Sequence, residues 1–218
     1  MPPPHSDEAI PAAGVELPAT VTVPPAAPGV VLFAHGSGSS RHSPRNQQVA
    51  RGLEQVGLAT VLVDLLTPDE EEVDLRTRRL RFDIALLAQR LAGITDWLGS
   101  VAPTADLPIG LFGASTGGAA ALVTAAERPD AIRAVVSRGG RPDLAGDALP
   151  RVRAATLLIV GGRDETVLGL NRRACEALTC EKRLEVVPGA THLFEEPGAL
   201  EQVTALAADW FRRQLGSL

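Results

Sequence analysis

The segment Gly113-Ala114-Ser115-Thr116-Gly117 sets a serine between two glycines directly after the apolar run Leu107 to Phe112. A serine hydroxyl is a weak nucleophile near neutral pH. To attack a carbonyl it needs an exposing turn, a base within hydrogen-bond reach and an acid that orients the base. Small residues two before and two after the serine let a strand and the following helix cross closely, and glycine fills both positions. Among His5, His35, His42 and His192, the last is the expected base: Gly189-Ala190-Thr191-His192-Leu193-Phe194 follows an apolar run ending at Val187, which brings it to the sheet edge that carries Ser115. The acid is expected from a loop between the two in chain order. Asp164 in Gly161-Gly162-Arg163-Asp164-Glu165 meets that condition, with Asp143 as the rival and Glu165 as a bystander.

An attacked carbonyl also needs donors for its developing negative charge. The backbone N–H of Thr116, at the start of the next helix, is one candidate. The loop His35-Gly36-Ser37-Gly38-Ser39-Ser40 offers the second, from Ser37 first and Gly38 next, with His35 bracing the loop. A phosphate-binding reading of this loop lacks both the GxGxxG spacing and a Walker lysine. Arg138, at the end of an apolar run, and Arg41 are candidates for holding an anionic group of the substrate, together with Gly38; Arg45 is a weaker one. The competing roles are ordinary: Arg138 paired with Asp143 or an acidic loop, Asp164 capping a helix that begins near Thr166, His192 satisfied within its loop.

These residues need elements to hold them. Short β-branched runs at 15–23, 30–34, 59–64, 109–112, 131–137, 156–160 and 183–187 alternate with helical patterns at 44–57, 76–98, 116–127, 167–178 and 200–215. That alternation predicts an α/β fold with a mostly parallel central sheet and helices on both faces. Residues 1–13 are expected to be a flexible tail and 14–218 a single domain. Asp69 to Glu72 is expected to be a solvated loop and helix start.

With 218 residues, 45% hydrophobic and a net charge of −5, the chain can bury a substantial core. Its arginines are scattered among acids, which argues against a nucleic-acid partner. The N-terminus lacks the basic and apolar regions of a secretory signal, so a cytoplasmic protein with no membrane partner is expected. Cys175 and Cys180 fit no disulfide framework and are expected to be reduced. With no Tyr and few other aromatics, Phe33 and Phe112 are expected in the core rather than in a pocket wall.

Through its His-Gly-Ser-Gly turn, Gly-Ala-Ser-Thr-Gly elbow, Gly-Gly-Arg-Asp loop and Gly-Ala-Thr-His-Leu-Phe loop, the chain resembles the dienelactone-hydrolase-like group of α/β-hydrolases from about Val15 onward. The resemblance implies a serine hydrolase that needs no cofactor and no metal, with the triad Ser115, Asp164 and His192 in the chain order of that fold. It differs from the namesake enzymes in carrying serine where they carry cysteine, so dienelactone activity does not carry over. No long cap insertion stands between Val136 and Thr156, which implies a minimal or absent cap domain and either leaves the site comparatively open or leaves covering duty to 65–76. The expected activity is hydrolysis of a carboxylic ester, lactone or thioester of a small acyl substrate. The alternatives are acyl transfer or peptide cleavage by the same triad, or a binding module that keeps the scaffold without catalysis.

Overall fold

The computed structural model describes residues 5–216. Eight strands form one sheet: β1 (His5–Ala12), β2 (Val15–Thr22), β3 (Val30–Ala34), β4 (Ala59–Val63), β5 (Ile109–Ala114), β6 (Ile132–Arg138), β7 (Ala155–Gly161) and β8 (Lys182–Val187), in the order β1-β2-β4-β3-β5-β6-β7-β8. β2 runs antiparallel to β1 and β4, and the remaining pairs are parallel. Among the described residues six α-helices flank it: α1 (Pro44–Gln55), α2 (Pro68–Thr77), α3 (Ile84–Leu98), α4 (Thr116–Glu127), α5 (Glu165–Ala177) and α6 (Ala199–Leu215). The central strands are buried on both faces, which is why they read as unbroken apolar runs. On one face Phe33, Phe112 and Val136 pack with α1 and α6; on the other Leu32, Leu111 and Val135 pack with α3 and α4. Phe33 lies opposite Phe112 with ring centroids 4.9 Å apart, in the core as expected. Both cysteines are free.

Two expectations are corrected. The proposed tail at 1–13 is a strand from His5 to Ala12, paired along its full length with β2; its first four positions lie outside the described residues. Ala13 and Gly14 both have positive φ, 50° and 80°, the backbone of a tight hairpin turn between right-twisted strands. Only Ile10 and Ala12 of this strand are buried, so its alternation is too short to read. The helix expected over 76–98 is two helices. Arg78, left-handed at φ 54°, ends α2; a 3-10 turn at Leu80–Phe82 follows, and Asp83 caps α3 by accepting from Leu86 N–H at 3.0 Å.

Asp69 to Glu72 belongs to the first turn and a half of α2. Thr67 and Glu70 form a reciprocal capping box there, and the acids favour the positive helix end. α2 is pinned at both ends, by Arg90 to Glu70 at 2.7 Å and by Arg81 to the fully buried Asp74.

The tightest approach in the fold is at the start of α4. A Cβ added to Gly117 would stand 2.2 Å from the Ala34 carbonyl oxygen and 2.6 Å from that of His35. Backbone cannot yield as a flexible side chain can, so Gly117→Ala is expected to destabilise the protein by about 1–3 kcal/mol through overpacking. Urea unfolding of the variant against the parent measures this as a lower midpoint at unchanged slope.

Candidate active site

Ser115 sits between β5 and α4 at φ 51° and ψ −119°, a conformation that costs a non-glycine residue free energy and is held by its surroundings. Its N–H donates to Arg138 O at 3.3 Å, and its carbonyl accepts from Gly118 N–H and Arg141 N–H, each at 3.0 Å. The serine is therefore fastened to the β6 exit loop as well as to its own helix.

The Asp164 and His192 loops meet beside it. Asp164 occupies the N-cap position of α5 but makes no capping bond with its side chain; instead its Oδ2 lies 2.7 Å from His192 Nδ1. The two loops are joined by Arg163 N–H to Ala190 O at 2.9 Å and Gly162 N–H to Val187 O at 2.8 Å. Gly161 approaches Ala190 O so closely that a Cβ would come within 2.5 Å. An ionised Asp164 accepts from Nδ1–H, which leaves Nε2 as the basic nitrogen. The imidazole reaches the serine's neighbourhood: a Cβ on Gly139, the residue after Arg138, would stand 3.5 Å from His192 Cε1. The rival acid is engaged elsewhere, since Asp143 receives Arg141 Nε and Nη2 at 2.9 and 2.7 Å. Those bonds hold its carboxyl below the ordinary range.

Ser37, Gly38 and Thr116 line one small pocket, together with Leu66, Glu71, Arg81 and Leu87. Ser39 N–H donates to Gly36 O at 3.1 Å, closing a turn whose central residues are Ser37 and Gly38, the latter at φ 68°. His35 adds the second bond to Gly36 O, from Nδ1 at 3.0 Å, while its Nε2 accepts Leu65 N–H at 3.1 Å. Accepting at Nε2 requires the proton at Nδ1, so His35 is neutral and a donor to Gly36 O. A trans peptide points its N–H opposite to its C=O; fixing Gly36 O thereby fixes the direction of Ser37 N–H. Gly36 itself lies against Ser115, where a Cβ would come 3.1 Å from that of the serine. Thr116 opens α4, where helix geometry leaves its N–H without an intrahelical partner.

The arginines divide. Arg41 bonds to Asp64 through its backbone N–H at 2.6 Å and through its guanidinium, which occupies it on the loop side. Arg138 ends β6 almost buried, with no carboxylate paired to it among the described residues, and burial, together with the charge of Arg45, pulls its pKa down to about 10. Arg81, which the sequence did not single out, brings its Nη1 to within 3.0 Å of where a Cβ on Gly38 would stand. Only the folding-back of α2 through Asp74 reveals it, and no local spacing announces such a contact. Among the described residues no group of His, Cys, Asp or Glu side chains gathers as a metal site, and no helix is long and apolar enough to cross a membrane. A surface cleft of about 670 Å³ lined by Asp106, Asp130 and Arg133 lies where β5 and β6 begin, at the sheet edge remote from Ser115.

A family model described as an alpha/beta hydrolase domain matches residues 27–208. The chain belongs to the α/β-hydrolase family. It is a dienelactone-hydrolase-like member: the crystal structure of a dienelactone hydrolase from Anabaena variabilis is 58% identical, covers 98% of this chain and 99% of that one, and superposes with a TM-score of 0.97. A Xanthomonas campestris structure described as a serine hydrolase without lid shares the fold at 21% identity, with a TM-score of 0.77 over 100% of this chain and 98% of its own. A protein of Mycobacterium tuberculosis, found in strains CDC 1551 and H37Rv under the name "Putative phosphoribosyl transferase", is 58% identical over 211 residues. That match takes in 96% of this chain and 47% of the relative, so the chain spans about half the length of the curated relatives it matches.

In this α/β-hydrolase His35 ties loop direction to pH. Burial, the largest influence, lowers its proton affinity below the ordinary value of 6.5 despite the Gly36 bond and nearby Asp64 and Glu71. As pH falls, the unfolded chain takes up this proton first. The contribution is thus present above about 6.5 and lost as pH drops through the lower folded value. His35→Gln is expected to be less stable than the parent at pH 7.5 by about 1–2 kcal/mol and to lose less stability between pH 7.5 and 5, read from thermal midpoints across that range.

Proposed function

We propose that the protein is a serine hydrolase of carboxylic esters, lactones or thioesters that works through an acyl-enzyme on Ser115. The observation that carries this reading is the 2.7 Å contact between His192 Nδ1 and Asp164 Oδ2, at the sheet edge where Ser115 is held in a strained turn. In the first half-reaction His192 Nε2 takes the Ser115 proton as the hydroxyl oxygen bonds to the acyl carbon, and Asp164 stabilises the imidazolium that results. Thr116 and Ser37 N–H groups receive the oxyanion; the proton then passes to the departing alkoxide or thiolate. Water repeats the sequence on the acyl-enzyme and returns a free serine. The same intermediate would serve an acyl acceptor other than water.

The esterase part of the reading is supported by the family and by the named hydrolase relative. The phosphoribosyl transferase name belongs to a protein about twice as long as the matched part, and that chemistry is not carried over to this chain. A non-catalytic module on the same scaffold is the competing reading, and an active-site probe separates the two. A fluorophosphonate is expected to label the wild-type protein at Ser115 and to leave Ser115→Ala unlabelled; an unlabelled wild type would favour the module.

Asp164→Asn is expected to lower kcat on short p-nitrophenyl esters by about 10³–10⁴-fold, since it leaves His192 without the acceptor that sets its tautomer. Asp143→Asn is expected to stay within a few-fold of the parent. Steady-state kinetics of both variants check the assignment, and the reverse ranking would make Asp143 the acid.

A further inference from the structure

Asn171 is fully buried on α5. Its Nδ2 donates to Gly140 O at 3.0 Å and to Val167 O, one turn back on its own helix, at 2.8 Å, while its Oδ1 has no hydrogen-bond partner among the described residues. An amide buried with its acceptor unmet costs free energy, and an apolar side chain of similar size would fill the place without that cost. The stability of α5 therefore does not account for an asparagine here. What the residue adds is the bond that leaves the helix, to Gly140 O in the loop after β6.

Gly140 O and Arg141 N–H belong to one peptide group. Arg141 N–H donates to Ser115 O at 3.0 Å, so a single rigid unit takes a bond from α5 at its carbonyl end and gives one to Ser115 at its amide end. A trans peptide points these two ends in opposite directions; fixing one fixes the other, and bonds in series polarise each other. The residues before this peptide lend it little stiffness of their own. Gly139, at φ 51°, and Gly140 lead into it, and glycine backbone turns freely. Gly140 cannot be stiffened by a side chain, because an added Cβ would stand 1.9 Å from Ser137 Oγ. Asp164, at the N-cap position of α5, precedes Asn171 by about two turns. The helix that begins at the partner of His192 is thus tied to the carbonyl of Ser115.

We propose that Asn171 is a positioning residue for the attack by Ser115: through the Gly140–Arg141 peptide it holds the serine's carbonyl, and with it the serine's backbone torsions. This rests on the reading of Ser115 as nucleophile. The strained φ and ψ of Ser115 persist only while the surroundings hold them. The bond that Ser115 O accepts from Gly118 N–H lies within the start of α4 and travels with it, whereas the bond from Arg141 N–H refers the serine to α5. Relaxing those torsions turns the Cα–Cβ bond of Ser115, and Oγ with it, away from the acyl carbon. Asn171 meets neither substrate nor reacting atoms, so its effect falls on the bond-forming step and not on binding.

Two variants of the full chain remove the donor: Asn171→Leu at similar volume, and Asn171→Ala with the residue that most favours a helix. Each is expected to speed hydrogen–deuterium exchange of the Arg141 amide by about tenfold. Each is also expected to lower kcat on a short p-nitrophenyl ester by about tenfold or more, with KM within about twofold of the parent. Fluorophosphonate labelling of Ser115 is expected to slow by the same factor as kcat. All rates are taken well below the thermal midpoint of each variant, where a merely structural role leaves kcat unchanged. Should one variant fail to fold, the other decides. An unchanged kcat and labelling rate, a rise in KM at unchanged kcat, or an Arg141 amide that exchanges as in the parent overturns the proposal. The two readings fail separately. A wild type that takes no label removes Ser115 as nucleophile, and Arg141 exchange still reports whether Asn171 braces its carbonyl; a labelled wild type with variants labelled at the parent rate removes the role of Asn171 alone.

Discussion

The close passage of α4 beneath the end of β3 is the constraint on which the site depends. Gly117 lies against the carbonyls of Ala34 and His35, and Gly113 against the backbone of Gly117 and Gly118, where added Cβ atoms would come within 2.2 to 2.7 Å. This contact brings the first turn of α4 and the Gly36–Ser39 turn, distant in the chain, to one pocket. It also forces Ser115 into positive φ, because the chain must reverse from strand to helix within one residue. A side chain at either glycine would push the start of α4 away from the end of β3.

Around that contact the polar groups divide into those that hold the loops and those left for chemistry. His35, Arg41 with Asp64, Arg81 with Asp74 and Arg141 with Asp143 each fasten one loop at the carboxyl edge. Most are partly buried pairs whose worth lies in geometry more than in net stability. They hold the loops around Ser115 in place. Asp164 is the instructive case: a helix-capping position whose carboxylate turns away from its helix toward an imidazole, forgoing about 1 kcal/mol of capping.

Much of this was legible in the sequence because the signals were local. The elbow glycines, the strand–helix alternation and the residues 109–127 follow from adjacent residue types, and the predicted helix Thr116–Glu127 matches α4 at both ends. What escaped was decided at a distance. β1 shows only Ile10 and Ala12 to the core, so composition near the terminus spoke for a tail. The break between α2 and α3 falls at Arg78, a residue with no sequence mark of left-handed backbone. Arg45 and Arg138 are far apart in the chain, and no local residue pattern marks the buried, unpartnered nitrogen that each carries.

The N-terminal hairpin has a consequence at the outer rim of the sheet. β1 and β8 are the two edge strands, each with one row of backbone groups open to pairing with another chain. β1 carries Asp7, Glu8 and Pro11 there, and β8 carries Lys182, Arg183 and Glu185, largely at exposed or half-buried positions. Another copy docking edge to edge would have to bury these charges and forgo a bond at the proline. By extending the sheet past β2 with a polar strand, the chain replaces a more apolar rim with one that resists self-templated growth.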